Sequence, residues 1–240
     1  VGESYCVDQY NQEYSRDIEP TRGGHGDNYY YQMAAHIRRF KGARPRPKAS
    51  APLTVRTEGD FSQWGGVGPE FLDDIGDTAH RNHPGFGDTP AYVNTTGRND
   101  FDAMKVARDA AHLYFYARCR GPLSPGDGDD WMVLLIDADA NPKTGWEGFD
   151  FQVNRARREG GFATIERRSG NRWVLSGQAA FAANGAEIHL AVPRRTLGVS
   201  GRPVRIDFKW IDGVAPNDVT DFIDRGDVAP NGRFKYRYEE

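Results

Sequence analysis

The run WMVLLI, residues 131–136, is apolar at every position. A strand that is apolar on both faces belongs at the centre of a β-body covered on both sides, so this run fixes the middle of the fold. Directly after it comes DADANPKTGWEGFDFQVN, residues 137–154, with three short polar side chains at alternate positions, a Lys-Thr-Gly turn, and a segment alternating aromatic and polar. The pair reads as a hairpin: a buried strand ends near Asp137 and resumes at Phe149. The loop between them is a candidate for a metal, a ligand, or a plain turn.

Beyond Leu53 the pattern is strand and turn. Strands are expected at 91–94, 103–108, 113–119, 131–137, 149–155, 163–167, 172–175, 180–182, 187–192, 204–210 and 233–238, with a short helical turn at 193–197 led by Pro193. Val204, Ile206, Phe208 and Trp210 share one face against Arg205, Asp207 and Lys209. With 28 Gly and 14 Pro in 240 residues, the composition favours short strands and turns over long helices. The expected fold is mainly β, a two-sheet antiparallel β-sandwich of jelly-roll type, preceded by a short strand-helix piece.

That piece contains the one strong helical pattern, residues 26–42. Asp27 is the expected cap, Tyr30, Met33, Ala34, Ile37 and Phe40 share a face, and Gly42 is the stop. The following ARPRPKASAP, 43–52, reads as a linker or as an ordered strap along the next domain. The expected domains are therefore 1–42, a linker at 43–52, and a sandwich over 53–240.

A formal charge of −3 with both signs mixed along the chain offers no footprint for nucleic acid or an anionic membrane. No apolar run approaches the ~18 residues of a membrane span, and no signal-peptide pattern is visible. A start at Val1 is expected of a fragment. Cys6 and Cys119 are expected to be thiols, because one pair makes no disulfide framework.

Asp137, Asp139 and Asn141 have the alternate spacing with which a calcium loop presents its first oxygens, but Pro142 and Gly148 stand where an EF-hand needs Gly and Glu. The Lys143 carbonyl and the carboxylate of Glu147 or Asp150 would extend the set. The alternative is a turn capped by Asp137 and Asn141. Among the tryptophans, Trp146 at a loop tip is the candidate platform for a pyranose ring, with Trp131 a weaker one beside the core. Gln152 and Asn154 supply a polar face next to Asp150, while Arg98 and Asn99 either bind a glycan or tie loops together. Asn94-Thr95-Thr96 matches a glycosylation sequon. His80 and His83 are expected in an exposed loop. Asp8, Glu13, Asp17 and Glu19 are too close in sequence to form the separated carboxylate pair of a glycosidase.

From Thr57 onward the chain resembles the family 9 carbohydrate-binding modules. The matching segments are GDFSQW, VARDAAHLYFYA, WMVLLIDADANPKTG, FDFQVN, EIHLAVPRRTLG and VRIDFKW, in the order that family uses. The resemblance implies a β-sandwich with structural calcium that holds a glucan or xylan chain end between two aromatics. The family's polar sugar contacts fall here on Val133 and Gln152, and Phe222 is the aromatic nearest the second platform. Residues 1–42 resemble the last strand, loop and helix of a (β/α)-barrel hydrolase. Together these imply a non-catalytic module of a larger, secreted polysaccharide-degrading enzyme whose catalytic domain precedes it, with a polysaccharide or oligosaccharide as partner. An accessory domain that packs on that barrel and binds no glycan is the alternative.

Overall fold

The computed structural model describes residues 28–42 and 47–240, apart from 59, 85–90, 127, 129, 159, 216–218 and 220. The expected strand with Cys6, Asp8, Glu13, Asp17 and Glu19, and the cap Asp27, lie outside the described residues. Helix α1, Asn28–Lys41, forms where the periodicity places it. Of its apolar face, Ile37 is 39% and Phe40 92% exposed. No described helix is long and apolar enough to cross a membrane.

The body is mainly β and antiparallel, as the sequence predicts. Its strands are β1 Glu70–Leu72, β2 Arg81–His83, β3 Tyr92–Asn94, β4 Phe101–Arg108, β5 His112–Cys119, β6 Val133–Asp137, β7 Phe151–Arg158, β8 Phe162–Ser169, β9 Arg172–Asn184, β10 Glu187–Pro193, β11 Arg205–Asp212, β12 Asp227–Ala229 and β13 Tyr236–Glu239. A helical turn, α2, Asp221–Asp224, precedes β12. Strands β2 and β3 form a small sheet of their own; the rest form one eleven-stranded sheet ordered β1-β4-β5-β10-β9-β8-β7-β6-β11-β12, with β13 also paired to β11. This sheet curls nearly into a barrel, and its opposed halves are the two layers that pack on each other. Phe115 of β5 meets Phe208 of β11 edge-on at 5.7 Å.

Three details differ from the expected strands. Residues 172–175 and 180–182 belong to one strand, β9, because Ile165 pairs with Gly177 and Glu166 with Leu175, so Ser176 bulges out without ending the ladder. Strands β1, β2 and β12 were not expected; each has three residues, too short for an alternation to register. The segment at 193–197 turns without forming a helix.

Alternation along each strand sends one set of side chains inward. Met104, Val106, Leu113, Phe115, Leu134, Ile136, Val153, Ile165, Leu190, Phe208 and Trp210 fill the interior. The WMVLLI run is apolar on both faces because its outward residues are also covered: Val133 and Leu135 pack with Phe149, Ile211, Val214 and Phe222.

A second cover lies over β4, β5 and β10. There the segment from Ala49 to Val67 acts as a strap: Leu53 N–H donates to the Arg108 carbonyl at 2.8 Å, and Val55, Trp64 and Val67 bury against Ala107, Tyr114, Tyr116 and Ala191. Residues 47–52 are thus described against the body, whereas 43–46 lie outside the described residues. Under the strap, Trp64 Nε1–H donates to His189 Nδ1 at 3.1 Å, and His189 Nε2 lies 3.0 Å from the Thr57 carbonyl. This arrangement needs the neutral ring with its proton on Nε2.

Burial holds the His189 pKa below the ordinary histidine value, against a smaller upward pull from the Thr57 carbonyl. The unfolded chain therefore takes up a proton before the folded one does as pH falls. The stability that comes from the neutral ring is complete above the unfolded pKa of about 6.5 and declines below it. In thermal melts taken from neutral to acidic pH, the Tm of the parent should fall relative to that of a His189 variant over the same range. His189→Phe should remove that portion of the decline while costing about 1–3 kcal/mol, because Trp64 Nε1–H loses its acceptor.

Candidate functional site

The loop between β6 and β7 is built by two local devices. Trp146 and Phe149 exchange both backbone hydrogen bonds at 2.8 Å, closing a two-residue hairpin whose central residues, Glu147 and Gly148, both have positive φ, 50° and 81°. That is the primed turn suited to a twisted hairpin, and Gly148 takes its second position without strain. Before it, Asn141 N–H donates to Asp137 Oδ1 at 3.2 Å and Asp139 Oδ1 at 3.0 Å, while Thr144 Oγ1 donates to both oxygens of Asp139. The polar side chains thus cap the turn, as one of the two sequence readings has it.

The same folding draws three carboxylates together. Oxygens of Asp137, Asp139 and Asp150 all lie within 4.8 Å of one another. Asp137 is 1% exposed, and its Oδ2 receives Lys235 Nζ at 3.1 Å. Burial pushes its pKa up to about 6, with the Lys235 ammonium and the Asn141 N–H pulling it back. Burial likewise raises Asp150, against the Ala138 N–H that donates to it at 2.9 Å. Three carboxylates facing one ammonium leave excess negative charge, and hard oxygen ligands of this kind suit calcium. Of the two carboxylates the sequence offers to extend the set, the fold brings in Asp150; Glu147 sits in the turn. The Asn141 side-chain oxygen accepts Lys143 N–H at 3.1 Å, which adds to the turn.

The residues read as glycan contacts divide by burial. Trp146 is half-buried, stacked with Phe149 at 6.4 Å and edge-on to Phe222 at 5.6 Å. Phe222 itself is buried, with Lys209 Nζ 5.0 Å above its ring, so it supports Trp146 from below. Trp131 is 3% exposed and its Nε1–H donates to the Ser124 carbonyl, which leaves it no free face for a sugar. Gln152 and Asn154 are buried as well: Gln152 Nε2 donates to Glu166 Oε2 at 2.6 Å, and Asn154 Nδ2 to the carbonyls of Trp131 and Met132.

Arg98 and Asn99 tie loops together. Arg98 forks onto Asp212 at 2.8 and 3.2 Å and reaches Asp130 at 3.1 Å, and Asn99 exchanges two hydrogen bonds with Ser124. The sequon residue Asn94 is buried, its Nδ2 donating to the Gly226 carbonyl. His80 is exposed, as expected, while His83 ends β2.

A second tryptophan completes the surface. Trp173 packs half-buried against the same outer cluster as Trp146, and Arg168 lies over its ring at 5.3 Å. The register of β7, β8 and β9 explains this: Gln152 faces Glu166, Glu166 faces Leu175, and Arg168 faces Trp173, so all five point out of the sheet together. Sequence reasoning missed Trp173, Glu166 and Arg168 as a group, although the Gly170-Asn171 turn between two expected strands signals that Arg168 and Trp173 lie opposite. The outer face of the sheet is covered by the strap on one side and by the 142–149 loop with α2 on the other. Between those covers lies a half-open strip bearing a carboxylate, a guanidinium and two indoles, with the buried Gln152 amide bonded to the carboxylate from beneath. Comparison of the chain with protein-family models, with curated proteins and with solved structures returned no match.

Proposed function

We propose that the chain is a non-catalytic carbohydrate-binding module of a larger, secreted polysaccharide-degrading enzyme, located extracellularly or in the periplasm, and that it takes glucan- or xylan-type glycans on the strip between Trp146 and Trp173. The observation that carries this reading is the pairing of two half-exposed indoles on one outer face with Glu166 and Arg168 between β7 and β9. An indole covers the apolar face of a pyranose, and a carboxylate and a guanidinium bond its hydroxyls. Gln152 acts indirectly, by fixing the Glu166 carboxylate.

A second reading is an accessory domain that packs on a catalytic barrel and binds no glycan. What favours it is the burial of Trp131, Gln152, Asn154, Asn99 and Phe222, five of the seven positions expected to touch sugar. Titration of soluble glucans, xylans and their oligosaccharides into the chain separates the two. The first reading expects saturable binding that Trp146→Ala and Trp173→Ala each weaken by about thirtyfold, or about 2 kcal/mol. Absence of binding to every one of these glycans decides for the second.

Calcium at Asp137, Asp139 and Asp150 is part of the same proposal, with a structural role: it would bind the three carboxylates in competition with Lys235 and stiffen the loop that carries Trp146. Ligand that binds only the folded state adds RT ln(1 + [L]/Kd) to stability, about 2.7 kcal/mol at a hundredfold excess over Kd. Calcium should therefore raise Tm, a chelator should reverse the rise, and Asp139→Asn should abolish most of it. An unchanged Tm in calcium and in chelator removes the metal from the proposal.

A further inference from the structure

The curled sheet leaves one seam, where β1 and β4 approach β12 and β13 without a shared ladder. Side chains bridge it: Tyr236 Oη donates to the Leu72 carbonyl at 2.8 Å and Phe101 N–H to Asp227 Oδ2 at 2.7 Å. Within this seam, oxygens of Asp73, Asp77 and Asp227 lie within 4.8 Å of one another. Asp227 is 3% exposed, and Asp73 Oδ2 and Asp77 Oδ1 are buried oxygens with no donor.

We propose that Asp73, Asp77 and Asp227 share protons and act as a latch on the seam, holding the barrel closed while at least one of them is protonated and loosening it when the last proton leaves. Like charges a few ångströms apart in a partly dry site do not all ionise together, and a protonated carboxyl becomes a donor to its neighbour. A shared proton thereby supplies the partner that the two buried oxygens lack, and it does so with groups the chain already holds.

The surrounding charges reinforce the need for it. Asp74, bonded to Asn231 Nδ2 at 3.2 Å, and Asp100, which accepts from Gly76 N–H, add negative charge from the 73–77 loop and from the start of β4. Opposing them are Lys209 of β11, which draws the Asp73 pKa down, and, for Asp77, a hydrogen bond from Asn231 followed by the smaller pull of Arg81 of β2. Burial outweighs these pulls. Asp73 is pushed up to about 7 and Asp227 to about 9, burial first and the Asp77 charge next, and Asp77 is raised as well. Two neighbours are kept neutral by burial and by this negative field: the Tyr236 hydroxyl on β13 and the Cys119 thiol on β5.

Folded-state pKa values above the unfolded one mean that the folded chain holds more protons, so stability falls as pH rises toward the folded values. This is opposite in sign to the effect of His189; it begins above the unfolded carboxylate pKa of about 4 and runs on to the folded values, beyond the range in which His189 titrates. The test is a series of thermal melts of the full chain in chelator from about pH 6 to about pH 10. Asp139→Asn provides the background, so that the calcium proposed for the β6–β7 loop plays no part. The expected result is a Tm that falls with rising pH. Asp73→Asn, whose amide imitates the protonated carboxyl, should flatten the fall and give a higher Tm than the parent at the alkaline end; Asp77→Asn is the second variant should the first not fold. An infrared band of a protonated carboxyl at neutral pH, lost by the alkaline end, should accompany it. A Tm independent of pH overturns the latch. So does a saturable rise in Tm with calcium or magnesium at alkaline pH that Asp73→Asn abolishes, since the three carboxylates would then hold a cation.

Discussion

An antiparallel sheet that curls on itself must either close its ladder or protect two edges. Here the ladder stops short. Strands β12 and β13 divide the outer edge of β11 between them, β12 taking residues 210–212 and β13 residues 205–208. Across the gap stands β1, whose Phe71 packs edge-on to Phe208 at 5.1 Å and tilted to Tyr236 at 5.2 Å. The interior is sealed at this point by aromatic rings and by hydrogen bonds to carboxylates. A carboxylate can accept a backbone N–H that has no strand partner, which is what Asp227 does for Phe101, and the result is acidic side chains gathered where the fold is least regular.

The outer face follows the same logic. A sheet with apolar residues on both faces of its central strand needs an outer cover, and this chain supplies two from its own connections. The strap from Ala49 to Val67 closes over β4, β5 and β10, and the 142–149 hairpin with α2 closes over β6 and β11. They reach only parts of β9, Ala180 at the strap and Trp173 at the loop, and the Trp146–Trp173 strip lies along β7, β8 and β9 between them. The strip is thus a consequence of where the covers end, with its polar groups fixed by strand register.

How far the sequence discloses this depends on the range of the interaction. Periodicity is local, so α1 and the strands from β4 to β11 are legible within a few residues, except that the bulge in β9 splits it in two, and the inward face of Ile206, Phe208 and Trp210 is legible as well. The acidic loop is legible too, because Asp137, Asp139 and Asp150 converge across one hairpin. Burial of Gln152 and Asn154 was not legible: their alternation with Phe151 and Val153 marks the outer face correctly, yet their partners, Glu166 of β8 and the carbonyls of Trp131 and Met132, are fixed only by how the neighbouring segments pair. Trp131 shows the converse case, since it stands at the head of an apolar strand and its indole turns into the core. The seam cluster is the least legible of all, because Asp73, Asp77 and Asp227 meet only after the whole sheet has curled.

One short segment joins the seam to the loop under Trp146. Asp227 begins β12, and the chain then runs through Pro230 and Phe234, whose carbonyls both receive the buried Lys209 ammonium, to Lys235, which pairs with Asp137 at 3.1 Å and lies 4.2 Å over the Phe149 ring. Lys209 in turn sits over Phe222, the ring that supports Trp146. The two ammonium groups therefore hold the same cover from both sides, one through carbonyls of the 230–234 turn and one through the acidic loop. A charge removed from Lys209 leaves buried carbonyls of the 230–234 turn unpaired, and one removed from Lys235 leaves the Asp137 carboxylate unbalanced, so each ammonium is needed where it stands for the cover to close.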